Sequence, residues 1–278
     1  MEPGLYIVAT PIGNARDITL RALDVLAAAD LVLCEDTRVT SKLFAIHGLK
    51  TPLRAYHEHN AITERPKVIT RIQDGAAVAL VSDAGTPLIS DPGYKLVQAM
   101  LEEDLAVTTL PGASSVMAAL TLAGLPTDRF LFAGFLPPKQ AARRTALEEV
   151  QGLSASLVYL ESPRRLAAML ADVSTVLGDR RVSVARELTK KFEEVRRGTA
   201  AELAAHYEEA GAPKGEVVVI VGPSQGDAVI DEASVDDMLR KALTQHSLKD
   251  AVAAVTGATG LKRREVYTRA LDLSKDEV

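Results

Sequence analysis

Short apolar runs, each closed by a turn rich in Gly, Pro, Ser or Asp, alternate along this chain with stretches whose apolar residues recur every three or four positions. Such an alternation of buried strands and amphipathic helices predicts an α/β fold. Strands are expected over 4–10, 31–34, 53–56, 76–81 and 106–110, and helices over 19–29, 37–47, 62–73, 94–103 and 114–123. Leu20, Leu23 and Leu26 share one helical face, and Gly48 and Gly124 stand where helix stops are expected. A second α/β unit follows, with strands over 130–133, 156–160, 182–186 and 216–221, helices over 141–150, 165–177 and 200–210, and a charged hairpin over 192–197. Beyond the Gly-Pro-Ser-Gln-Gly stretch at 222–226 only helices are expected, over 235–243, 248–255 and 261–271. The organisation predicted is an α/β domain over 1–115, a second over 116–224, and a helical module over 225–278.

Two turns stand out. Ser82-Asp83-Ala84-Gly85-Thr86-Pro87 follows one apolar strand, and Pro111-Gly112-Ala113-Ser114-Ser115 follows another and opens onto a helix. Turns of this kind at the carboxyl ends of parallel strands are where open α/β sheets bind ligands. Glycine lets a ligand approach the backbone, whose exposed N–H and C=O groups then read its polar edges. A small-molecule site is therefore expected there.

The composition fits a soluble protein with an Ala, Val and Leu core: 278 residues, 47% hydrophobic, 25% charged and no Trp. Cys34, the one cysteine, lies in an apolar strand and reads as a core thiol of a protein kept in a reducing cytoplasm. The opening Met1-Glu2-Pro3-Gly4 has no signal-peptide character, and charged residues or Gly break every apolar run before membrane-spanning length. A net charge of −5 argues against indiscriminate nucleic-acid binding, yet 180–198 carries seven Arg and Lys against three Glu. That segment is either a polyanion contact or a solvated hairpin surface. In the tail, a glycine turn at 256–260 followed by a helix with Lys262, Arg263, Arg264 and Arg269 is similar to a helix-turn-helix. Asp236, Asp237 and Asp250 offset the charge, so an RNA-docking arm and a packing or dimerisation module both stay open.

No dinucleotide fingerprint, Walker loop or nucleophile elbow is present. His57-Glu58-His59 offers two same-face ligands without a third, so no metal is expected. A set of ordered motifs carries more. Ala9-Thr10-Pro11-Ile12-Gly13-Asn14, Cys34-Glu35-Asp36-Thr37-Arg38, Tyr56-His57-Glu58-His59-Asn60 and the two turns above come first. Glu161-Ser162-Pro163-Arg164-Arg165, Arg186-Glu187-Leu188-Thr189-Lys190 and Lys214-Gly215-Glu216 complete it. Together they resemble the tetrapyrrole-methylase superfamily of S-adenosylmethionine (SAM) enzymes, and most closely its branch of 16S ribosomal RNA cytidine 2′-O-methyltransferases. The resemblance runs from about Leu5 to Pro223, and the helical tail also resembles that branch.

It implies two α/β domains with SAM in the cleft between them, a homodimer, and a decoding-centre cytidine of 16S rRNA, within the 30S subunit, as substrate. By the same resemblance, Pro11, Asp83, Ala84, Gly85, Leu88, Ile89, Ser114 and Ser115 line the cofactor, joined by Leu160, Leu188, Pro213, Gly215 and Glu216 from the second domain. Ser114 and Ser115 could equally cap the following helix. A ribose 2′-hydroxyl needs a proton acceptor. Glu35, Asp36, His57 and Glu187 are the candidates, each also open to a structural ion-pair or polar role. Arg38, Arg164, Arg186, Lys190 and Lys214 suit phosphate contacts, as do Lys262, Arg263 and Arg264 of the tail. Two rival readings remain at this point: a methylase acting on a tetrapyrrole, and a non-enzymatic, ligand-gated nucleic-acid binder.

Overall fold

The computed structural model describes residues 1–89, 93–224, 232–244, 246–259 and 263–275. Two compact units divide the chain, Met1–Gly222 and Pro223–Val278.

The larger unit contains two five-stranded sheets. The first is built from β1 (Gly4–Val8), β2 (Leu31–Cys34), β3 (Leu53–Ala55), β4 (Ala77–Val81) and β5 (Val107–Leu110). Its order is β3-β2-β4-β1-β5 and every pairing is parallel. The connecting helices are α1 (Leu20–Ala28), α2 (Thr37–His47), α3 (Ala61–Gln73) and α4 (Tyr94–Glu102). Because strand side chains alternate in direction, Leu31 and Leu33 join one apolar cluster while Val32 and Cys34 join that on the other face. Val78 and Leu80 against Ala79 and Val81 repeat the pattern, which is why these strands read as continuous apolar runs. Cys34 is buried, and burial, the largest influence, raises its thiol pKa. The helices begin and end where local chemistry dictates. Thr19 caps α1 by accepting the Ala22 N–H, Asp36 caps α2, and Gly48 closes α2 at φ 69°.

Helix α5 (Ser115–Ala123) follows β5 but packs on the second sheet. That sheet comprises β6 (Phe130–Phe135), β7 (Ser156–Glu161), β8 (Arg181–Arg186), β9 (Glu194–Thr199) and β10 (Val217–Val221), ordered β6-β7-β10-β8-β9. Only β6 and β7 are parallel; the rest pair antiparallel. Helices α6 (Gln140–Glu148), α7 (Leu166–Leu177) and α8 (Ala200–Ala210) accompany it. Val217, Val219 and Val221 of β10 enter the cluster that holds Leu170 and Leu203, from α7 and α8. Val218 and Ile220 point the other way, onto Val116, Ala119 and Leu120 of α5, and Ile12 of the first half joins this same cluster. That shared core joins the two halves.

The smaller unit contains α9 (Glu232–Leu243), α10 (Leu248–Thr259) and α11 (Arg263–Lys275), packed through Val235, Leu239, Val252, Val255, Val266 and Ala270. The glycine turn expected at 256–260 is not formed over 256–259: α10 continues through Gly257 to Thr259, because one glycine costs only about 1 kcal/mol within a helix that packs well, and Gly260 lies outside the described residues. The basic cluster is also smaller than expected. Arg269 pairs with Asp236, whereas Arg263 and Arg264 are exposed and Lys262 lies outside the described residues. Among the described residues no helix is long and apolar enough to cross a membrane.

Candidate active site

The loops after β1, β4 and β5 are bound to one another. Thr10 and Gly85 exchange both backbone hydrogen bonds, at 2.9 and 3.0 Å. The Thr10 hydroxyl donates to the Ser82 carbonyl, the Ser82 hydroxyl to the Gly85 carbonyl, and the Thr86 hydroxyl to the Ala113 carbonyl. Gly85 is buried at φ 82°, and a Cβ there would lie 3.3 Å from the Ile12 side chain, so both backbone and space favour glycine. Leu88 holds φ 72° without that freedom, a local strain of the kind that gathers at functional loops. Asp83 extends the construction to the loop after β2, its Oδ1 accepting the Asp36 N–H at 3.0 Å.

The second half answers with charge. At the end of β7 the Glu161 side chain is fully buried; its Oε1 accepts the Ser162 N–H at 2.7 Å, and its Oε2 accepts no hydrogen bond. Burial pushes this carboxyl above the usual range, against the opposing pull of the Ser162 N–H, Arg165 and Arg143. The Arg165 guanidinium lies 3.3 Å from Glu161 and donates to the Leu136 and Pro137 carbonyls, fixing the chain beyond β6 beside the end of β7. Farther on, Glu187 and Thr189 stand at φ 51° and 64°. Lys190 Nζ lies 2.9 Å from both Glu187 Oε1 and Glu216 Oε2. The Lys190 hydrogen bond is the main influence holding the Glu187 carboxyl below its ordinary value. Burial alone would lower the Lys190 pKa, but Glu216 and Glu187 outweigh it and raise it. The clasp reaches the first half as well, for the Asn14 N–H donates to the Thr189 hydroxyl and a Cβ on Gly13 would lie 2.5 Å from Lys190 Cγ.

Between these two walls lies a cleft of about 430 Å³. Asp83, Ala84, Ile89, Ser115, Leu160, Gly215 and Glu216 line it, all named in the sequence analysis. An adjoining hollow of about 280 Å³ shares Ile12, Asp83, Ala84 and Glu216 and adds Pro11 and Lys190. Other expected cofactor residues fall elsewhere. Leu88 packs against the core of the first sheet, Leu188 is buried between the halves, and Pro213 lines a separate pocket. Ser114 accepts the Met117 N–H and caps α5. Gly85 shapes the loop from beneath.

The proton-acceptor candidates separate as well. Asp36 is spent on its helix cap and on Arg38, whose side-chain hydrogen bonds, first among the influences, bring its carboxyl to about 2. Glu35 is exposed after β2; His57 is half-buried after β3, its Nδ1 without a hydrogen-bond partner. Neither lines the cleft. Of the phosphate candidates, Arg164 and Lys214 are exposed, while Arg186 and Lys190 are held by carboxylates. The cleft also contains residues outside the expected set: Ile12, Phe135, Glu161, Ser162, Pro163, Val217 and Val218. A carboxylate ending an apolar strand just before Ser-Pro was the available signal for Glu161. Among the described residues no group of three His, Cys, Asp or Glu side chains is placed to hold a metal.

With that geometry in view, known proteins of similar sequence decide the family. The profile of the Tetrapyrrole (Corrin/Porphyrin) Methylases matches residues 4–204, and that of the RsmI C-terminal HTH domain matches 229–274. Ribosomal RNA small subunit methyltransferase I of Mesorhizobium japonicum is 50% identical, across 98% of this chain and 93% of its own. This chain belongs to that family, within the tetrapyrrole methylases. Members from Pseudomonas aeruginosa and Escherichia coli O157:H7 are 45% and 44% identical, each over 96% of this chain and over 96% and 94% of their own lengths. The tetrapyrrole-methylase fold extends to structures of low identity. A uroporphyrin-III-C-methyltransferase from Thermus thermophilus superposes with a TM-score of 0.58 at 22% identity, over 79% of this chain and 94% of that one. A diphthine synthase gives 0.61 at 15%, over 78% and 89%.

Proposed function

We propose that this protein transfers a methyl group from SAM to the 2′-hydroxyl of a cytidine ribose in 16S rRNA. The observation that carries the reading is the cleft, whose backbone-built wall faces a carboxylate-lined one in a chain of this family. Its residues fit the cofactor. Asp83 and Glu216 would supply negative charge for a sulfonium and an ammonium, and Ile12, Phe135 and Leu160 apolar surface for an adenine. Bound there, SAM provides an electrophilic methyl group on a sulfur that leaves as a neutral thioether.

The chain's own task is then to align the acceptor oxygen and to take its proton. The acceptor ribose belongs where the hollow opens into the cleft, at Ile12, Asp83, Ala84 and Glu216, which line both, with Lys190 at the wall of the hollow for a phosphate oxygen. We assign the proton to Glu161, which lines the cleft: its Oε2 accepts no hydrogen bond, and although Arg165 lies 3.3 Å from that oxygen, burial outweighs the cation and raises the carboxyl's affinity for a proton. Asp36 and Glu187, both held low by a cation, are weaker acceptors.

The assembled 30S subunit is the proposed substrate form, in the cytoplasm, with Arg263 and Arg264 of α11 and Arg38, Arg164 and Lys214 contacting RNA phosphates. A homodimer would cover the exposed Phe130 of edge strand β6 and Met117 and Leu122 of α5. The test offers methyl-labelled SAM and purified protein three acceptors: 30S subunits lacking the modification, naked 16S rRNA, and a tetrapyrrole. Label in the RNA of the subunits is the expected result; label in the tetrapyrrole alone would overturn the reading.

A further inference from the structure

A second and larger pocket, of about 590 Å³, lies beside the cleft and has no part in the chemistry assigned above. Pro213 and Lys214 line it, and Gly215 and Glu216, next in sequence, line the cleft, so one turn separates the two. Its walls combine aromatic and cationic groups: Phe192, His206 and Tyr207 with Arg186, Arg196 and Lys214. Glu194 is the one carboxylate among the lining residues, and it holds both guanidiniums, Arg186 at 3.0 Å and Arg196 at 2.8 Å. Arg186 also donates to the Lys214 carbonyl at 3.1 Å, which pins the turn to β8. Three cations against one carboxylate leave the pocket positive.

Two features give it the character of a site. Phe192 is 65% exposed, a large ring left in water at the pocket wall, with Lys191 Nζ 5.6 Å from its centroid. Arg196 Nε is buried without a hydrogen-bond partner. An exposed ring offers a face for stacking, and flanking cations offer contacts for the phosphates on either side. Single-stranded RNA is recognised by that combination, with unstacked bases laid on aromatic side chains.

Resting on the function proposed above, we infer that this pocket takes an unstacked nucleotide flanking the target cytidine. Its base stacks on Phe192 and its phosphates meet Arg196 and Lys214, so the substrate strand is held on both sides of the turn at 213–216. The pocket fixes which strand segment enters the cleft and contributes nothing to cofactor binding.

The experiment compares wild type with Phe192→Ala, Phe192→Tyr and Arg196→Ala in methyl transfer to 30S subunits, with SAM affinity measured by calorimetry. Phe192→Ala should raise KM for the subunit about tenfold, the loss of one stacked base, and Phe192→Tyr should restore it. Arg196→Ala should lower the salt dependence of subunit binding by about one phosphate contact. SAM affinity should be unchanged in all three, which also shows that each variant is folded. Wild-type KM in both alanine variants, beside an active wild type, would overturn the pocket assignment alone. An inactive wild type would overturn the function on which it rests. Ultraviolet crosslinking of the wild-type complex should join the peptide containing Phe192 to 16S rRNA; a crosslink to a ribosomal protein instead would refute the nucleotide reading.

Discussion

The two walls of the cleft are made by different means. The first-half wall rises from an all-parallel sheet, and its loops offer peptide groups, a buried glycine and small side chains. The second-half wall rises from a mixed sheet and offers Glu161, Glu216 and the Lys190 clasp. Parallel strands all end at one edge, so their loops converge and can bind with backbone. Antiparallel strands deliver loops to both edges, and recognition then falls to side chains that reach across. The first wall should therefore be sensitive to added bulk, and the second to a change of charge at constant shape.

The largest effect should come from a change that removes only charge. Glu161→Gln preserves the shape of the second wall, and kcat should fall by about 10³-fold, the usual scale for a lost general base, with SAM affinity nearly unchanged. The pH profile adds a sharper check. Burial raises the Glu161 pKa above its ordinary 4.5, so wild-type rate should fall as pH drops through that raised value. This acid limb should vanish in the variant. A parallel loss of SAM binding would instead make Glu161 part of the cofactor wall.

Bulk is the matching test of the first wall. Gly85→Val places a branched side chain at φ 82° against Ile12, and SAM affinity by calorimetry should fall about 100-fold from the backbone strain and the displaced loop. Lys190→Met should do less. It leaves Glu187 and Glu216 without their shared cation, and denaturant unfolding should show a loss of about 1 kcal/mol. The smallest effect concerns the rim. Asp36 should titrate by NMR at about 2, because Arg38 and the helix cap favour its ionised form. Its contribution to stability is then complete above the ordinary value of 3.8 and lost as pH falls through about 2.

How far the sequence discloses this arrangement depends on the kind of signal. Strands such as Leu31–Cys34 and helices such as Thr37–His47 are legible residue for residue, because a strand buried on both faces is apolar throughout and a capped helix carries its own stops. Strand β6 runs to Phe135, past the 133 expected, since an irregularity between Phe132 and Gly134 lets pairing resume beyond a residue that looks like a breaker. Composition does not reveal strand order, and the packing of α5 on the second sheet follows only from which apolar faces meet. In the site, loop residues such as Asp83 and Ala84 are legible because their backbone chemistry is local. Leu88 and Leu188 are not, since motif position says nothing of which way a side chain turns. Glu161 is legible only as a position, a carboxylate ending an apolar strand before Ser-Pro; burial in the folded chain creates its perturbed carboxyl, and no residue type signals that in advance.

The central claim, transfer to a ribose oxygen, has a direct chemical test. Subunits methylated by the protein with labelled SAM are extracted, and their 16S rRNA is hydrolysed in alkali, which cleaves every linkage except one beside a methylated 2′-oxygen. Label in an alkali-resistant dinucleotide beginning with cytidine is the predicted result. Label released in mononucleotides would place the methyl group on a base and contradict the account.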